Sequence, residues 1–275
     1  MLYIKNKLDN RSILDLNKRD FRNFTLYYSD ELRVSAARVN RLMSMVRTML
    51  EYASNEQDYD YTINFASKVK GLPREEVREI EFLSNDIIMT LYKYFMDNER
   101  YRDATLLALA YESSARKNEL AQVKKDSVRD DRNCTFPVVG KRRKVFPLIY
   151  FDYTKKAAKK YLEQRGEDEI PELFVNADGK AASPGNIYEW VVNWRKIVED
   201  FTGEEQNFNV HSFRHSALEN YSNGTHQHLI DNNMPSIPIE KLRLIARHEN
   251  ISTTQGYLAP KDDKELEELF GISMD

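Results

Sequence analysis

The chain has 275 residues, a formal net charge of -3 and a pI near 6.1. Its 31% charged and 41% hydrophobic residues, with only 9 Gly and 8 Pro, exclude collagen-like, low-complexity and disordered proteins and predict a soluble, mainly helical protein long enough for two domains. Since no run of about 18 apolar residues occurs and the N-terminus lacks the apolar segment of a signal peptide, we expect a cytoplasmic protein with no membrane partner.

The charges are unevenly distributed along the chain. Residues 1–50 carry ten Lys and Arg against five Asp and Glu, and residues 139–160 carry eight against one, whereas residues 261–275 carry two against six. The near-neutral total argues against a nucleic-acid partner, because a duplex attracts proteins through cations that neutralise its phosphates. Each basic block is either a solvated surface or a DNA-binding face, and the charges alone leave both interpretations open.

The N-terminal part of the chain predicts a small group of helices. Residues 19–28 are compatible with a first helix, and residues 34–52 place six apolar side chains at the spacing of a single helical stripe. That stripe consists of Val39, Leu42, Met43, Val46, Met49 and Leu50. The periodicity is lost over residues 56–75, where Gly71-Leu72-Pro73 is typical of a linker.

A second domain follows this change in pattern. Leu83-Ser84-Asn85-Asp86 offers helix caps before residues 87–95, whose apolar side chains again have helical spacing. We therefore predict a helical domain at residues 1–75, a linker at 76–82 and a second domain at 83–275.

A basic hairpin is predicted in the second domain. Residues 133–139 and 145–150 are rich in β-branched and aromatic side chains and flank the polar segment Gly140-Lys141-Arg142-Arg143-Lys144. Four cations would lie at its exposed tip. Residues 186–198 predict a helix whose two tryptophans belong to the core rather than to a base-stacking surface. The predicted fold class is therefore mainly α with a small β-hairpin (α+β).

The motifs of several common catalytic and metal sites are absent from the sequence. It contains no Gly-rich phosphate loop, no paired CxxC, no HExxH and no GxSxG. Cys134 is the single cysteine, which excludes a disulfide within the chain and an all-cysteine metal site. His226 and His228 flank one residue in a polar stretch, where we predict a surface loop rather than a metal site.

A series of basic residues and one tyrosine remains. These candidates are Arg116 after an apolar helix, Lys141 on the hairpin, His211 and Arg214 in an H-x-x-R sequence, His248, and Tyr257. Each is a weak signal by itself, because Arg116 could simply pair with Glu119 and Tyr257 could be a packing residue. Their order along the chain is the informative feature.

In this order the residues resemble the tyrosine recombinase (phage integrase) family. That family carries an Arg in a segment like T-G-x-R-x-x-E-L, a Lys on a β-hairpin, an H-x-x-R motif, a second His or Trp, and a Tyr nucleophile. The matching segments here are Ser114–Leu120, His211–His215 and His248–Tyr257. The resemblance covers residues 83–260 by motif and extends more loosely to residues 1–75, as the helical core-binding domain that precedes the family's catalytic domain.

The resemblance implies an enzyme that cuts and rejoins DNA strands through a 3′-phosphotyrosine intermediate, with no metal and no cofactor. Arg116 and Arg214 would hold the phosphate, because two permanently charged, fork-shaped guanidiniums suit the charge that builds on its oxygens. Tyr257 would be the nucleophile. The biological task would be integration, excision, inversion or resolution of DNA.

The remaining site residues would handle protons and hydrogen bonds in this resemblance. His211 would accept the proton of the tyrosine or hold the phosphate, and His248 would donate a hydrogen bond to the same oxygens. Lys141 would protonate the departing 5′-oxygen, with Lys144 as the alternative.

The resemblance also implies a double-stranded DNA partner, clamped between the two domains. The expected phosphate contacts are Arg38, Arg41 and Arg47 in the first domain and Arg142, Arg143 and Lys144 on the hairpin. A C-terminal helix over residues 263–272 would dock on a neighbouring protomer, so that monomers assemble into a tetramer on synapsed DNA. Accessory DNA-bending proteins are a further expected partner class, and the location would be the nucleoid of a prokaryote that carries a phage or mobile element.

Three features depart from the family pattern. Arg247 stands where the family usually has Gly, and Ser114-Ala115 replaces Thr-Gly. The spacing from Arg214 to His248 is long, which predicts a loop insertion over residues 221–238. Three alternative functions stay open at this point: a type IB topoisomerase, a telomere-resolving enzyme of the same chemistry, and a non-catalytic DNA-binding relative.

Overall fold

The computed structural model of the protein describes residues 2–73 and 81–247. His248, Tyr257 and the predicted C-terminal helix at 263–272 lie outside the described residues, as does most of the predicted linker. Within the two described ranges, no helix is both long and apolar enough to cross a lipid bilayer.

The chain divides into two compact units, Met1–Glu79 and Ile80–Asp275. The first unit is built of α-helices joined by short π- and 3₁₀-helical turns. The helices are α1 (Leu2–Lys7), α2 (Lys18–Leu26) and α3 (Ala36–Asn55), and the turns are Ile13–Asp15, Tyr27–Glu31 and Phe65–Lys68. Helix α2 begins at a capping box, in which the Asp20 amide donates to the Asn17 side chain and the Asn17 amide donates to the Asp20 carboxylate.

Helix α3 supplies much of the core of the first unit. Its buried residues include Val46 and Leu50, which pack with Phe21 and Phe24 of α2. The predicted apolar stripe is confirmed except at Met49, which is 46% exposed. Met49 precedes Leu50 directly and is therefore rotated by about 100° away from the buried face of the helix.

The second unit is also mainly helical and contains the described sheet. Its elements are α4 (Asn85–Asp97), α5 (Tyr101–Ser113), α6 (Lys117–Leu120), β1 (Val138–Val139), β2 (Val145–Phe146), α7 (Asp152–Arg165), α8 (Pro184–Asn193), α9 (Arg195–Thr202), α10 (Val210–Asn223), α11 (Gln227–Asp231) and α12 (Ile239–Ala246). A 3₁₀ turn at Lys125–Ser127 connects α6 to the sheet region.

Helix α5 is the centre of the second unit, because α4, α7 and α10 pack around it. Leu106, Leu107 and Leu109 are all fully buried and lie on different sides of the helix, so that α5 is buried on every face, as expected of a core helix. The helix ends at Ser114, whose φ of 49° is in the left-handed region and turns the chain. The core of the second unit thereby places Arg116 immediately after a rigid helix.

The predicted hairpin forms, but with shorter strands than expected. Val138 pairs with Phe146 and Val139 with Val145 in antiparallel register. Pro137 lies just before β1 and Pro147 just after β2, and a proline lacks the amide that a ladder requires. The connecting turn contains a 3₁₀ segment at Lys141–Arg143.

The predicted helix at 186–198 is two helices in the structure, with a turn at Trp194 between α8 and α9. Trp194 is 1% exposed and packs in the core, as predicted. Trp190 is only partly buried, and the Arg102 guanidinium lies 3.9 Å from the centroid of its ring. Neither tryptophan is a free stacking surface.

Only residues 232–238 of the predicted loop over 221–238 form a largely exposed segment without helix or strand. The first part contains the end of α10 and the whole of α11, so the prediction of a surface loop around His226 is wrong. His226 is 1% exposed, and its ring is stacked between Tyr111 at 4.1 Å and Tyr221 at 3.7 Å between centroids. Burial lowers the pKa of His226 to about 3. Tyr111 from a distant part of the chain and Tyr221 from the preceding helix thus make a core residue of a histidine that has polar sequence neighbours.

Candidate active site

Arg116 lies at the junction of α5 and α6. Its amide donates to Oε2 of Glu119 at 3.0 Å, and its guanidinium Nη1 donates to Oε1 of the same carboxylate at 3.1 Å. Glu119 is 1% exposed, whereas the Arg116 side chain is 26% exposed. The pairing considered from the sequence therefore exists, and it leaves the Arg116 side chain in contact with solvent.

A cavity of about 490 Å³ lies beside Arg116. Its walls are formed by residues of four regions: Arg116–Glu119 at α6, Val139–Lys141 at the hairpin, Tyr188 of α8, and Asn209–His211 at the start of α10. The structure therefore brings Arg116, Lys141 and His211 together from separate parts of the sequence. Two cations and one imidazole at a single concave surface can bind an anion and transfer a proton.

Helix α10 carries both residues of the H-x-x-R sequence. It begins at a capping box between Asn209 and Ser212, so that His211 is placed in the first turn. Arg214 follows three residues later and is fully buried. Its guanidinium donates to the carbonyl oxygens of Ser114, at 2.5 Å, and Ala246. Arg214 thus links the end of α5 to the end of α12 and is not among the residues that line the cavity wall.

The protonation of His211 is set by its surroundings. The largest cause is desolvation: protein atoms around the ring replace part of the water and lower the pKa of His211. The positive charges of His215, Arg214 and Arg116 lower this pKa further. The ring remains accessible to solvent at the cavity. A pKa below the usual range leaves His211 neutral at physiological pH, which is the form that can accept a proton.

The hairpin turn presents Lys141 to the cavity. The Gly140 amide donates to the Lys144 carbonyl at 2.7 Å, which closes the turn. A Cβ at Gly140 would lie 2.6 Å from the Phe146 ring, so a larger residue at this position would have to displace that ring. Lys141 lines the cavity, whereas Lys144 does not belong to its described lining.

The predicted DNA-contacting cations differ in their surroundings. Arg38 and Arg41 are exposed on α3, and Arg142, Arg143 and Lys144 are exposed at the hairpin tip. Arg47 is half-buried, and it donates from Nε to the Ala66 carbonyl at 3.0 Å and from Nη2 to the Val69 carbonyl at 2.6 Å. Arg47 therefore fixes the 3₁₀ turn at Phe65–Lys68 within the first unit, a role that its position in a basic block did not indicate.

Arg247 lies close to the candidate site, and the sequence did not predict its contacts there. Nη2 of Arg247 lies 3.4 Å from Oε2 of Glu119 and donates to the carbonyl oxygens of Ser113 and Ser114, both at 3.1 Å. The only signal in the sequence was its departure from the family's usual glycine. Tyr188 in the cavity wall was also missed, since one tyrosine on a helix carries no recognisable pattern.

The described residues contain no group of three or more His, Cys, Asp and Glu side chains that could hold a metal ion. The cavity presents the cations Arg116 and Lys141 and the imidazole of His211. These groups match the charge of a phosphodiester.

Comparison with known proteins identifies the fold and the family. The model of the Phage integrase family matches residues 81–264. The chain belongs to this family. Tyrosine recombinase XerC of Staphylococcus aureus is 26% identical over 255 residues, which cover 89% of this chain and 78% of that protein.

Solved structures of an integrase and a recombinase have the same fold. The Tn1549 transposon integrase in complex with transposon right end DNA has a TM-score of 0.71 at 13% identity, over 98% of this chain and 90% of that one. The XerH site-specific recombinase bound to a palindromic difH substrate also has a TM-score of 0.71, at 16% identity, over 98% of this chain and 75% of that one. The predicted mainly helical fold with a small β-hairpin is confirmed, and the protein is a tyrosine-type site-specific DNA recombinase.

Proposed function

We propose that this recombinase cuts and rejoins each DNA strand through Tyr257, with Arg116, His211, Arg214 and Lys141 around the scissile phosphate. One observation carries the proposal: Arg116, Lys141 and His211 come from three separate elements and line a single cavity. Arg214 lies three residues after His211 on the same helix, and its positive charge acts on the His211 ring.

The two arginines would neutralise charge on the phosphate as it becomes five-coordinate. Arg116 is partly exposed and held by Glu119, so that its remaining donors can reach an anion in the cavity. Arg214 is fully buried, and a charge acts more strongly where water is excluded. Removal of one such preorganised donor typically costs about 3 kcal/mol of transition-state stabilisation.

The reaction conserves the energy of the broken bond. The Tyr257 oxygen forms a bond to phosphorus while the bond from phosphorus to the 5′-oxygen breaks. Neutral His211 accepts the phenol proton, and Lys141 gives a proton to the departing 5′-oxygen. His248 would donate a hydrogen bond to the phosphate oxygens. Attack of a 5′-hydroxyl on the phosphotyrosine reverses these steps and joins the strand, so the sequence of steps needs no metal and no cofactor.

DNA contacts and assembly are part of the same proposal. The relatives of known structure include complexes with DNA, and the exposed Arg38, Arg41, Arg142, Arg143 and Lys144 suit phosphate contacts. Arg47 suits them less, because two of its nitrogens already donate to main-chain oxygens.

The predicted organisation extends this proposal to the whole chain. We propose a core-binding domain at 1–75, a linker at 76–82 and a catalytic domain at 83–275, whose C-terminal helix would join protomers into a tetramer on synapsed DNA. Monomers off DNA, accessory DNA-bending proteins and a nucleoid location complete the proposal. The named relatives favour recombination over topoisomerase or telomere-resolving activity.

Covalent trapping tests the proposal. The protein is mixed, without metal, with nicked fragments of the DNA that flanks its own gene, denatured in detergent and analysed for a protein–DNA adduct. We expect an adduct from the wild type and from a Tyr94→Phe control, whose ring is 38% exposed and outside the cavity, but none from Tyr257→Phe. The Tyr257→Phe variant should keep its DNA affinity. Tight DNA binding by the wild type without any adduct would favour the non-catalytic alternative.

A further inference from the structure

Arg247 occupies a position where a side chain is strained. It ends helix α12 with φ 57° and ψ 39°, in the left-handed region that glycine adopts freely. The family usually has glycine at this point of the motif, which the backbone conformation explains. An arginine at this position has a strained backbone, so the contacts of its side chain are the feature that distinguishes it from glycine.

The side chain of Arg247 is inserted between the elements that form the cavity. Its Nη2 donates to the carbonyl oxygens of Ser113 and Ser114 at the end of α5, each at 3.1 Å. Its guanidinium lies 4.8 Å from the centroid of the Phe146 ring on β2. The side chain is only 13% exposed, so these contacts take place largely out of water.

Glu119 connects Arg247 to Arg116. One carboxylate oxygen, Oε1, pairs with Arg116 Nη1 at 3.1 Å, and the other, Oε2, lies 3.4 Å from Arg247 Nη2. Glu119 is 1% exposed, and a buried carboxylate is stable as an anion only with cations and hydrogen-bond donors around it. Two guanidiniums therefore share one buried carboxylate, and the Arg116 amide donates to it as well.

We propose that Arg247 is a positioning residue that holds the Glu119 carboxylate in place and thereby orients the Arg116 guanidinium at the cavity. This inference rests on the proposed function, in which Arg116 contacts the scissile phosphate. Burial lowers the pKa of Arg247 to about 10 while the Glu119 charge opposes this shift, so that Arg247 remains cationic at neutral pH. Its positive charge therefore faces Glu119, which Nη2 approaches to 3.4 Å.

The test compares Arg247→Gly and Arg247→Lys with the wild type. Arg247→Gly fits the backbone, and it removes the guanidinium. The matched control is Arg33→Gly, which also removes an arginine from a left-handed position (φ 49°), but one whose side chain is exposed in the first unit. The rate of adduct formation is measured in a single turnover at saturating protein, and the dissociation constant for DNA is measured in parallel.

We expect Arg247→Gly to form the adduct about tenfold more slowly or worse, because a small misplacement of a catalytic group has an effect of this size. Its dissociation constant should stay within about threefold of wild type, Arg247→Lys should recover part of the rate, and Arg33→Gly should react at the wild-type rate. An unchanged rate in Arg247→Gly would overturn the inference. So would a loss of affinity as large as the loss of rate, because it would indicate a direct DNA contact.

A second substrate distinguishes an effect of Arg247 through Arg116 from an effect through the hairpin. A DNA with sulfur in place of the bridging 5′-oxygen releases a thiolate, which needs no proton from Lys141. We expect the defect of Arg247→Gly to persist on this substrate, since Arg116 would still be misplaced. Full recovery of the rate would show that Arg247 acts through Phe146 on the hairpin, and it would refute the role at Glu119.

A thermal-stability cycle tests the contact independently of any DNA chemistry. The melting temperatures of Arg247→Gly, Glu119→Gln and the double variant are compared with wild type. If the two residues are coupled, Arg247→Gly should lower the melting temperature clearly less in the Glu119→Gln background than in the wild type. Additive shifts in melting temperature would overturn the inference. If the wild type itself forms no adduct, the proposed function fails, and this cycle still decides whether Arg247 holds Glu119.

Discussion

The buried Glu112 carboxyl predicts that the protein loses stability as the pH rises. Glu112 lies near the end of α5 and is 2% exposed. Its Oε2 accepts from the Phe151 amide and the Thr154 hydroxyl, both at 2.6 Å, at the start of α7. Burial raises the pKa of Glu112 to about 7, although these hydrogen bonds oppose the shift.

The sign and size of the effect follow from this pKa. Below the ordinary value of 4.5 the group is protonated in both the folded and the unfolded chain, so it contributes no difference. Between pH 4.5 and about 7 the carboxyl ionises in the unfolded chain but stays protonated in the folded protein, so the free energy of unfolding falls as the pH rises. Above about pH 7 the carboxyl is ionised in both states, and the loss of stability is complete. The difference between the two pKa values corresponds to about 3 kcal/mol of unfolding free energy.

Glu112→Gln removes the titration while it keeps one carbonyl oxygen as an acceptor. We expect the stability advantage of wild type over Glu112→Gln to shrink by about 2 to 3 kcal/mol between pH 5 and pH 8, as measured by urea denaturation. The matched control is Glu163→Gln on α7, whose side chain is 55% exposed and lies 3.9 Å from Lys160 Nζ. That control should follow the wild type at every pH.

Parallel pH profiles for wild type and Glu112→Gln would refute this reasoning, because the carboxyl would then titrate alike in the folded and unfolded states. A wild-type advantage that grows with pH would refute it more strongly. Such a result would mean that the hydrogen bonds to α7 outweigh the cost of burying the charge.

Three further variants test the site and the core. Lys141→Ala should slow adduct formation by about 100-fold, and Lys144→Ala by less than about threefold. The defect of Lys141→Ala should vanish on the bridging-sulfur substrate, whose leaving group needs no proton. An equal loss of rate in both variants would reject Lys141 as the general acid. His226→Ala should lower the unfolding free energy by about 2 to 4 kcal/mol in urea denaturation, because it leaves a hole between the Tyr111 and Tyr221 rings. A loss below about 0.5 kcal/mol would instead fit the exposed loop residue predicted from the sequence.

Local spacing was sufficient to predict α3, α4, the hairpin and the order of the candidate residues. The stripe on α3 depends on helical periodicity, the caps before α4 and the hairpin depend on neighbouring residues, and the Arg116-x-x-Glu119 spacing places a cation and an anion on one turn. Each of these features is determined within a few residues of chain. The roles proposed for His248 and Tyr257 still rest on the motif alone.

The surroundings of each side chain were decided only by the tertiary structure. Arg116 and Arg214 look equivalent in the sequence, yet one is partly exposed at a cavity and the other is fully buried. His226 has polar neighbours along the chain but lies between aromatic rings, and Arg247 reaches a carboxylate 128 positions earlier. Burial, charge and pKa depend on atoms that folding brings close from distant segments, and no local pattern in the sequence records which atoms those are.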